Sequence, residues 1–474
     1  MRKQIYLLFS LFLTTSCHVG EDFESKPFAQ NKDIIENLQL SSFQNTDVTN
    51  KWYEVFKDSD LNTLIQYAAT NNFTVQQGLE RLKQSRYALM INSKQMFPMI
   101  DANGSYNFSK ASNNVDYSYD VNAFKAGLDA SWELDIWGKG EYITEQYSEL
   151  MNNVQYSLFN IKVSVIAETV LNYINLREAQ EKLRIAERNL YLQRDILQTV
   201  RNKYNAGIAD DLALNQAEYA VETTKSTIPP LKTQIENYKN ALAVLLGVLP
   251  TNLPFNLDKY KKNITANTFR FDTKKLYQLP LDIVRSRPDI MAAEANVRAQ
   301  NSVVNQAITS LYPTVNLSAT FGFISSSGHS LFNNDSQIYG YTPGVTLPIW
   351  HWGQLTNNIE LQKHIKEEYL LNYNETMLMA VTEIRNAVIA VEQAYKTNIY
   401  SKSSLNKMRN VMELTRNKYE NGLIDFTDVA TAEQNYLNAQ NALITSNAAI
   451  IKYLTAFYKA TGGGYNIKTE QLCK

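Results

Sequence analysis

Three motif pairs recur at one spacing in this 474-residue chain, and that spacing sets what it can fold into. Phe97-Pro98 matches Tyr312-Pro313. Trp132-Glu133-Leu134-Asp135-Ile136-Trp137-Gly138 matches Leu347-Pro348-Ile349-Trp350-His351-Trp352-Gly353. Tyr204-Asn205-Ala206-Gly207 matches Tyr419-Glu420-Asn421-Gly422. Each pair lies 215 positions apart, with no gap between one pair and the next. A constant period means two copies of one structural unit. The copies fall at roughly 61–250 and 276–465, with a linker at 251–275 and a tail at 466–474.

The order of elements is the same in both copies. A helix comes first, carried by Leu61, Leu64, Ile65, Ala68 and Ala69 and resuming from Val75 to about Met96; its counterpart is Ile290, Ala293, Val297, Val304 and Ile308. Pro98 or Pro313 then ends it. Two alternating segments follow, predicting β-hairpins at 101–137 and 314–350. Their apolar positions include Phe124, Leu128, Trp132, Leu134 and Ile136 in the first copy, and Tyr339, Tyr341, Val345, Leu347 and Ile349 in the second. Each strand is long enough, at about 10 residues, to cross a bilayer tilted.

A stretch without Gly or Pro comes next, from Glu141 to Ala206 and from Gln354 to Asn421. About 66 helical residues span roughly 100 Å, far beyond the globular norm and suited to a coiled-coil array. The chain reverses at Gly207 or Gly422, and a second helix returns to about Gly247 or Thr461, giving helical hairpins at 141–247 and 354–461. Pro229-Pro230 is expected to interrupt the first return helix.

Composition narrows the function. Apolar residues at 44 % and charged residues at 20 % exclude disorder throughout. Lys+Arg (46) and Asp+Glu (47) cancel to −1 with no basic stripe, so no nucleic-acid partner is expected. Two cysteines, Cys17 and Cys473, exclude a disulfide framework and a Cys-based zinc site, and four scattered histidines argue against a His-rich metal centre. No H-E-x-x-H, G-x-x-x-x-G-K-[ST] or G-x-S-x-G occurs, and Gly462-Gly463-Gly464 opens no phosphate loop. Met377 and Met379 fit core packing better than a soft-metal relay. No catalytic residue, metal or cofactor is therefore expected.

Arg2 and Lys3, the apolar run Ile5 to Leu13, and Thr14-Thr15-Ser16 have the layout of a secretory signal peptide at 1–16. Cys17 follows at once, and small residues before a Cys resemble the processing site of a bacterial lipoprotein, which implies lipidation at Cys17 and a lipid-anchored N-terminal arm at 17–60; ordinary cleavage nearby with a free thiol is the alternative. Beyond residue 20 no apolar stretch reaches the length of a membrane helix. A spanning structure would have to be a closed barrel. Four strands cannot close one; a dimer supplies eight, a trimer twelve and a possible lumen, and a soluble sheet with one wet face is the alternative.

Leu279-Pro280-Leu281-Asp282-Ile283-Val284-Arg285-Ser286-Arg287-Pro288-Asp289-Ile290, followed by Ala293-Glu294 and Tyr312-Pro313, resembles the signature of the outer membrane factor family, the TolC-like efflux channels. Cys17 to Phe23 is similar to the N-terminus of its lipoprotein branch, with Glu21 where Pro is common. Trp132 to Gly138, the turns at Gly207 and Gly422, and Thr461 to Tyr465 are similar to the family's strand-to-helix junction, hairpin turns and C-terminal glycine run. The resemblance implies an α+β membrane protein. Three chains would form a homotrimeric twelve-strand transmembrane β-barrel, four strands per chain, continuous with a long α-helical coiled-coil barrel. It further implies an outer membrane, lipid-anchored location reaching into the periplasm, and partners in a periplasmic adaptor and an inner-membrane transporter of the resistance-nodulation-division class. The chain would be a passive exit duct for drugs or other small molecules. A lipid-anchored coiled-coil scaffold or adhesin without a pore, and an exit duct for a type I peptide or protein exporter, remain as alternatives.

The resemblance also places candidate sites. Acidic residues follow the second hairpin turn, and Asp428, with Asp425, is expected to ring the channel constriction; the same step in the first copy lands on Ala213, and Ile424 stands where the family sometimes has a basic residue. Rings of like charge select ions. Either carboxylate could instead favour a helix N-terminus. The turns at Gly207 and Gly422 are expected to present the adaptor-docking surface, though glycine there also permits positive φ. Trp132, Trp137, Trp350 and Trp352 read either as an interfacial belt or as packing at the barrel–tunnel junction, with packing favoured for Trp137 and Trp352. Arg287, Pro288 and Asp289 read as structural, with Pro at the first helical position and Asp in the first turn.

Overall fold

The computed structural model describes residues 19, 52–110, 112, 114, 121–253, 256–258 and 284–463. The signal segment 1–16, Cys17 and most of its arm, most of the linker, the tail with Cys473, and Leu279 to Ile283 of the signature lie outside the described residues.

Helix α1 (Ser59–Asn71) and α2 (Phe73–Asn92) precede strands β1 (Met99–Ser109) and β2 (Val121–Leu134). The 67-residue α3 (Lys139–Asn205) and its return helix α4 (Asp211–Leu246) complete the first copy. The second copy runs α5 (Pro288–Thr309), β3 (Thr314–Ser325), β4 (Gln337–Thr346), the 67-residue α6 (Gln354–Glu420) and α7 (Phe426–Ala460). Helix α2 stops at Asn92, short of Met96, where the Asn92 amide turns back onto the Ala88 carbonyl at 2.7 Å. Helix α4 runs unbroken through Pro229-Pro230, contrary to expectation. The carbonyls these prolines orphan belong to Lys225 and Ser226, on the exposed side of the helix, where water can donate to them.

Two compact units emerge, and they cut across the copies, dividing inside α2, α3, α5 and α6. The first unit, built on Leu82–Val154 and Ala292–Asn374, holds one antiparallel sheet in the order β1-β2-β3-β4. The hairpins obey the repeat to the residue: Asp101 opposes Asp129, and Asn316 opposes Gly344. The hairpins join through β2 and β3, where Gly127 opposes Gly322. Beside the sheet, α5 is held by side-chain hydrogen bonds, Ser302 to Glu145 (2.9 Å) and Gln306 to Gln146 (2.9 Å) on α3, and Lys366 of α6 to Asn301 (2.8 Å).

The second unit, built on Gln155–Met291 and Glu375–Ala460 with the preceding α1, holds the helical core. Leu61, Leu64, Tyr173, Leu242, Leu246 and Phe457 are fully buried there. The Tyr173 hydroxyl donates to Asp58 (2.6 Å), whose other oxygen caps α1 through the Asp60 and Leu61 amides. Trp52 stacks on Tyr458 at 4.9 Å, and burial pushes the Tyr458 phenol up to about 12. Glu178 of α3 accepts from Lys182 and from Lys452 of α7, both at 2.7 Å.

One clasp appears in both copies with different chemistry. Asn72, buried between α1 and α2, donates to the Leu245 carbonyl (2.9 Å) at the end of α4. Its counterpart 215 residues on is Arg287, which donates to the Ala460 carbonyl (2.6 Å) at the end of α7. Arg287 is itself buried and pairs with Asp289 (2.6 Å) and Glu383 (2.9 Å). Pro288 opens α5 with Asp289 in its first turn.

Candidate functional site

Alternation along the strands makes the sheet two-faced. One face carries Ile100, Tyr106, Phe108, Phe124, Leu128, Trp132, Leu317, Phe321, Phe323, Tyr339, Tyr341 and Val345, with apolar pairs such as Tyr106↔Phe124, Leu128↔Phe321, Trp132↔Leu317 and Phe321↔Tyr339, and polar partners only toward the strand ends at Asn122, Ser325 and Gln337. Much of it is bare: Tyr339 and Tyr341 are 82 % and 80 % exposed. The other face carries Asp101, Asn103, Lys125, Asp129, Ser131, Glu133, Asn316, Ser318, Thr320 and Thr342. Asn103 and Thr320 both donate to Asp129, tying three strands together on this polar face. The outer edges of β1 and β4 have no strand neighbour among the described residues. No described helix is long and apolar enough to cross a membrane.

Strand β4 ends at Thr346, so Leu347 and Ile349 fall outside it, unlike their first-copy counterparts Trp132 and Leu134 in β2. The reason is pairing: β2 has a strand on both edges, β4 on one. The tryptophans diverge in the same way. The Trp132 indole N–H donates to the Met96 carbonyl (2.8 Å), and the Trp137 N–H to the Pro313 carbonyl (2.7 Å) with its ring 5.1 Å from Tyr312. Trp350 and Trp352 meet only edge to face at 5.6 Å, and Trp352 is 87 % exposed. Packing therefore holds for Trp137 and not for Trp352 within the chain.

The helical hairpin tips form the second candidate site. Each turn is the same: Gly207 and Gly422 sit at φ 72 and 69, and the next amide returns to the Lys203 or Lys418 carbonyl (2.9 and 3.0 Å). An added Cβ would meet nothing within 4 Å at either glycine, so backbone angle, not crowding, selects glycine there. Ile208 and Leu423, just past the turns, are exposed. Beneath them the two tips pack together through Val200, Ala217, Phe426 and Val429, with Tyr419 against Phe426 at 5.7 Å. Lys203 lies over the Tyr419 ring at 4.2 Å, and Thr427 donates to Gln216 at 3.1 Å.

Four aspartates stand at this tip, in two different states. Asp210 caps α4 by accepting from the Ala213 amide (2.9 Å), and Asp211 takes the Tyr204 hydroxyl, raising that phenol's pKa. Asp425 begins α7 without a side-chain cap, and Asp428 lies in the first turn. Both are exposed, and neither carboxylate has a hydrogen bond or ion pair among the described residues.

Sequence reasoning missed a further acid, Glu433. In the first copy, Arg201 and Glu218 form a bridge across the hairpin at 2.8 Å. The counterparts are Arg416 and Glu433, but Arg416 turns to Glu420 at 3.0 Å instead. Glu420 stands where the first copy has Asn205, so only the second copy offers Arg416 this rival. Burial pushes the Glu433 carboxyl up to about 7, against the lowering pull of Arg416. A folded pKa above the ordinary 4.5 means stability fully present below about pH 4.5 and lost as pH rises through about 7. Amide exchange around Glu433 in α7 is expected to show more local opening at pH 8 than at pH 5, after correction for intrinsic rates. Glu433→Gln should abolish the difference; an unchanged pH response in that variant would remove Glu433 as its source. The signal was available in the repeat, since shifting Arg201 and Glu218 by 215 leads straight to the pair.

Among the described residues no cluster of His, Cys, Asp and Glu could hold a metal ion. Met377 is buried, as core packing requires, while Met379 is exposed.

Comparison with known proteins agrees with this arrangement. The family model described as outer membrane efflux protein matches residues 64–248 and 279–463. The cation efflux system protein CusC of Escherichia coli O6:H1 is 25 % identical over 455 residues, covering 95 % of this chain and 96 % of that protein. The toluene efflux pump outer membrane protein TtgC of Pseudomonas putida is 24 % identical over 482 residues, covering 99 % and 97 %. The solved outer-membrane channel OprN superposes with a TM-score of 0.84 at 24 % identity, covering 95 % of this chain and all of that one.

Proposed function

The chain belongs to the outer membrane efflux protein family and is an outer membrane exit duct, and we propose that three copies close the duct and pass small molecules delivered from the inner membrane. The observation that carries this is the two-faced sheet with two open edges. In lipid an unpaired edge strands backbone groups at several kcal/mol each. Pairing the β4 edge of one chain with the β1 edge of another removes every edge, and three chains give twelve antiparallel strands. The apolar face meets lipid and the polar face lines a lumen. A scaffold without a pore would leave both hairpins unexplained.

The helical hairpins supply the tunnel, and their tips are its periplasmic mouth. The exposed turns at Gly207 and Gly422 dock a periplasmic adaptor, which couples the duct to an inner-membrane transporter of the resistance-nodulation-division class. Cys17 carries the lipid that anchors the N-terminal arm. The duct performs no bond chemistry. Relatives whose names specify cations, antibiotics and toluene stand at 24–25 % identity to this chain, which supports cargo selection by the partner pump.

Asp428, with Asp425 beside it, rings the constriction. Of the four aspartates at the tip, theirs are the two carboxylates that no cap or tyrosine occupies. Planar-bilayer recording tests the reading. The wild-type trimer should form discrete, cation-preferring channels, and Asp428→Ala should raise single-channel conductance and weaken the preference. Unchanged conductance and preference would remove Asp428 from the constriction, and a trimer that never conducts would remove the duct.

A further inference from the structure

We propose that Tyr142 is the seat of the N-terminal arm and holds Cys17, with its lipid, beside the first turn of α3, where strand gives way to helix. The inference rests on the reading above that Cys17 is lipidated. It goes beyond that reading by naming the residue that decides where the lipid enters the membrane. Tyr142 is a positioning residue, acting on the lipid through the backbone of the arm.

The Tyr142 hydroxyl donates to the Val19 carbonyl at 3.1 Å. Tyr142 is only 2 % exposed, and a phenol buried that far needs a partner. Its backbone is fixed on both sides. Its N–H returns to the Gly138 carbonyl (3.0 Å), and its own carbonyl accepts from Gln306 of α5 (3.3 Å). Strand β2 ends at Leu134 and α3 begins at Lys139, so the seat lies within a few residues of the sheet. The two residues from Val19 to Cys17 span at most about 7 Å. Trp52, the next described residue, is buried 33 residues further along the chain. A chain of that length reaches roughly 110 Å when extended. One hydrogen bond at Val19 thus replaces a reach of roughly 110 Å by one of about 7 Å. Acyl chains on Cys17 then enter the bilayer at the foot of the sheet's apolar face.

The repeat shows that the helix start itself does not require this tyrosine. Gly138 and Gly353 sit at φ 77 and 76. The same first-turn bond closes each start, from Tyr142 to Gly138 at 3.0 Å and from Asn357 to Gly353 at 2.9 Å. The backbone is therefore the same in both copies, and the side chain is not. Asn357, 215 positions after Tyr142, is exposed, whereas Tyr142 is buried. One arm precedes two copies of the scaffold, so only one copy has an arm to hold. The phenol stands in that copy, and its hydroxyl is spent on the arm.

Spin labelling of the full-length chain, carrying Cys473→Ser and Val19→Cys and kept in outer membranes, tests the seat. The acceptor at Val19 is backbone, so the substitution keeps it, and a lipidated Cys17 has no free thiol to label. Tyr142→Phe keeps the ring and loses the hydroxyl. It should raise the ratio of mobile to immobilised label roughly 2- to 10-fold, the effect of losing one hydrogen bond. Asn357→Ala, at the equivalent place in the second copy, should leave the ratio unchanged. Helix content should be the same in all three chains; a Tyr142→Phe chain that loses helix would make the phenol part of the core and overturn the seat. Mass spectrometry of the N-terminal peptide reads acylation separately. An acylated Cys17 whose neighbouring label ignores Tyr142→Phe overturns the seat and leaves the anchor intact. A Cys17 without acyl chains overturns the anchor, and the proposal with it.

Discussion

A Gly322→Ala chain is expected to lose the stable trimer, whereas Gly340→Ala should assemble as the wild type does. A Cβ at Gly322 would stand 2.5 Å from the Ala126 carbonyl oxygen and 2.7 Å from the Gly127 Cα. At Gly127 it would stand 2.8 Å from the Phe321 carbonyl oxygen. These neighbours are backbone, so no side chain can rotate away. Overpacking costs about 1–3 kcal/mol in an interior that can partly yield. Here the upper end applies, and it recurs at each of the three in-chain seams of a trimer. At Gly340 an added Cβ meets nothing within 4 Å, which makes it a control for glycine's backbone entropy alone. The fraction of heat-resistant trimer on gels, supported by light scattering, reads the effect. Equal trimer yields from the two variants would show that the seam can open to admit a methyl group.

Arg287→Ala is the second large effect. The guanidinium donates to Ala460 at the end of α7 and pairs with Asp289 and Glu383. The Glu383 side chain is 60 % exposed, so that pair contributes little. The buried bond to the Ala460 carbonyl and the part-buried pair with Asp289 matter more, and removing the charge that satisfies them is expected to cost about 3 kcal/mol. That corresponds to roughly 100-fold more opening of the C-terminal turn of α7. Amide exchange at Tyr458 to Gly462 would measure it. Gly462 sits at φ 71, and a Cβ added there would stand 3.2 Å from Pro288 Cδ and 3.3 Å from Arg287 Cα, so the turn is packed closely against the start of α5. Arg287→Asn, copying the first copy's Asn72, should recover part of the loss. Exchange unchanged in Arg287→Ala would mean that water replaces the guanidinium at no cost.

Much of the fold was legible because its signals are local or periodic. Long runs without glycine or proline marked α3 and α6, strict alternation marked the four strands, and the 215-residue period bound them into two copies. The departures arise where context outweighs local rule. Pro229 and Pro230 sit in a helix whose exposed side hands the orphaned carbonyls to water. Leu347 and Ile349 alternate correctly, but a strand also needs neighbours, and β4 has one. At the tip, Asp425 and Asp428 were visible as acids after a turn. That they are unoccupied while Asp210 and Asp211 are engaged could be learned only from side-chain geometry. The repeat points to Glu433 as the counterpart of Glu218, but its perturbation comes from burial and from the diversion of Arg416 to Glu420, which only the side-chain geometry shows. Arg287 was legible as a helix start but not as a clasp, since its target lies 173 residues away at Ala460.

The open edges of β1 and β4 also impose an order of events on biogenesis. The helical unit has a buried core of its own and can mature in a solitary chain. The sheet cannot, because its last hydrogen bonds exist only between chains. Its completion is therefore the concentration-dependent step, slower at low expression than any step before it. Until then each chain carries two adhesive edges and an apolar face, the combination most prone to wrong pairing. Once three chains have met, the kinetics invert. No chain can leave without breaking two seams at once in a medium that offers its backbone no replacement partner, so a trimer inserted in the membrane persists by the height of that barrier.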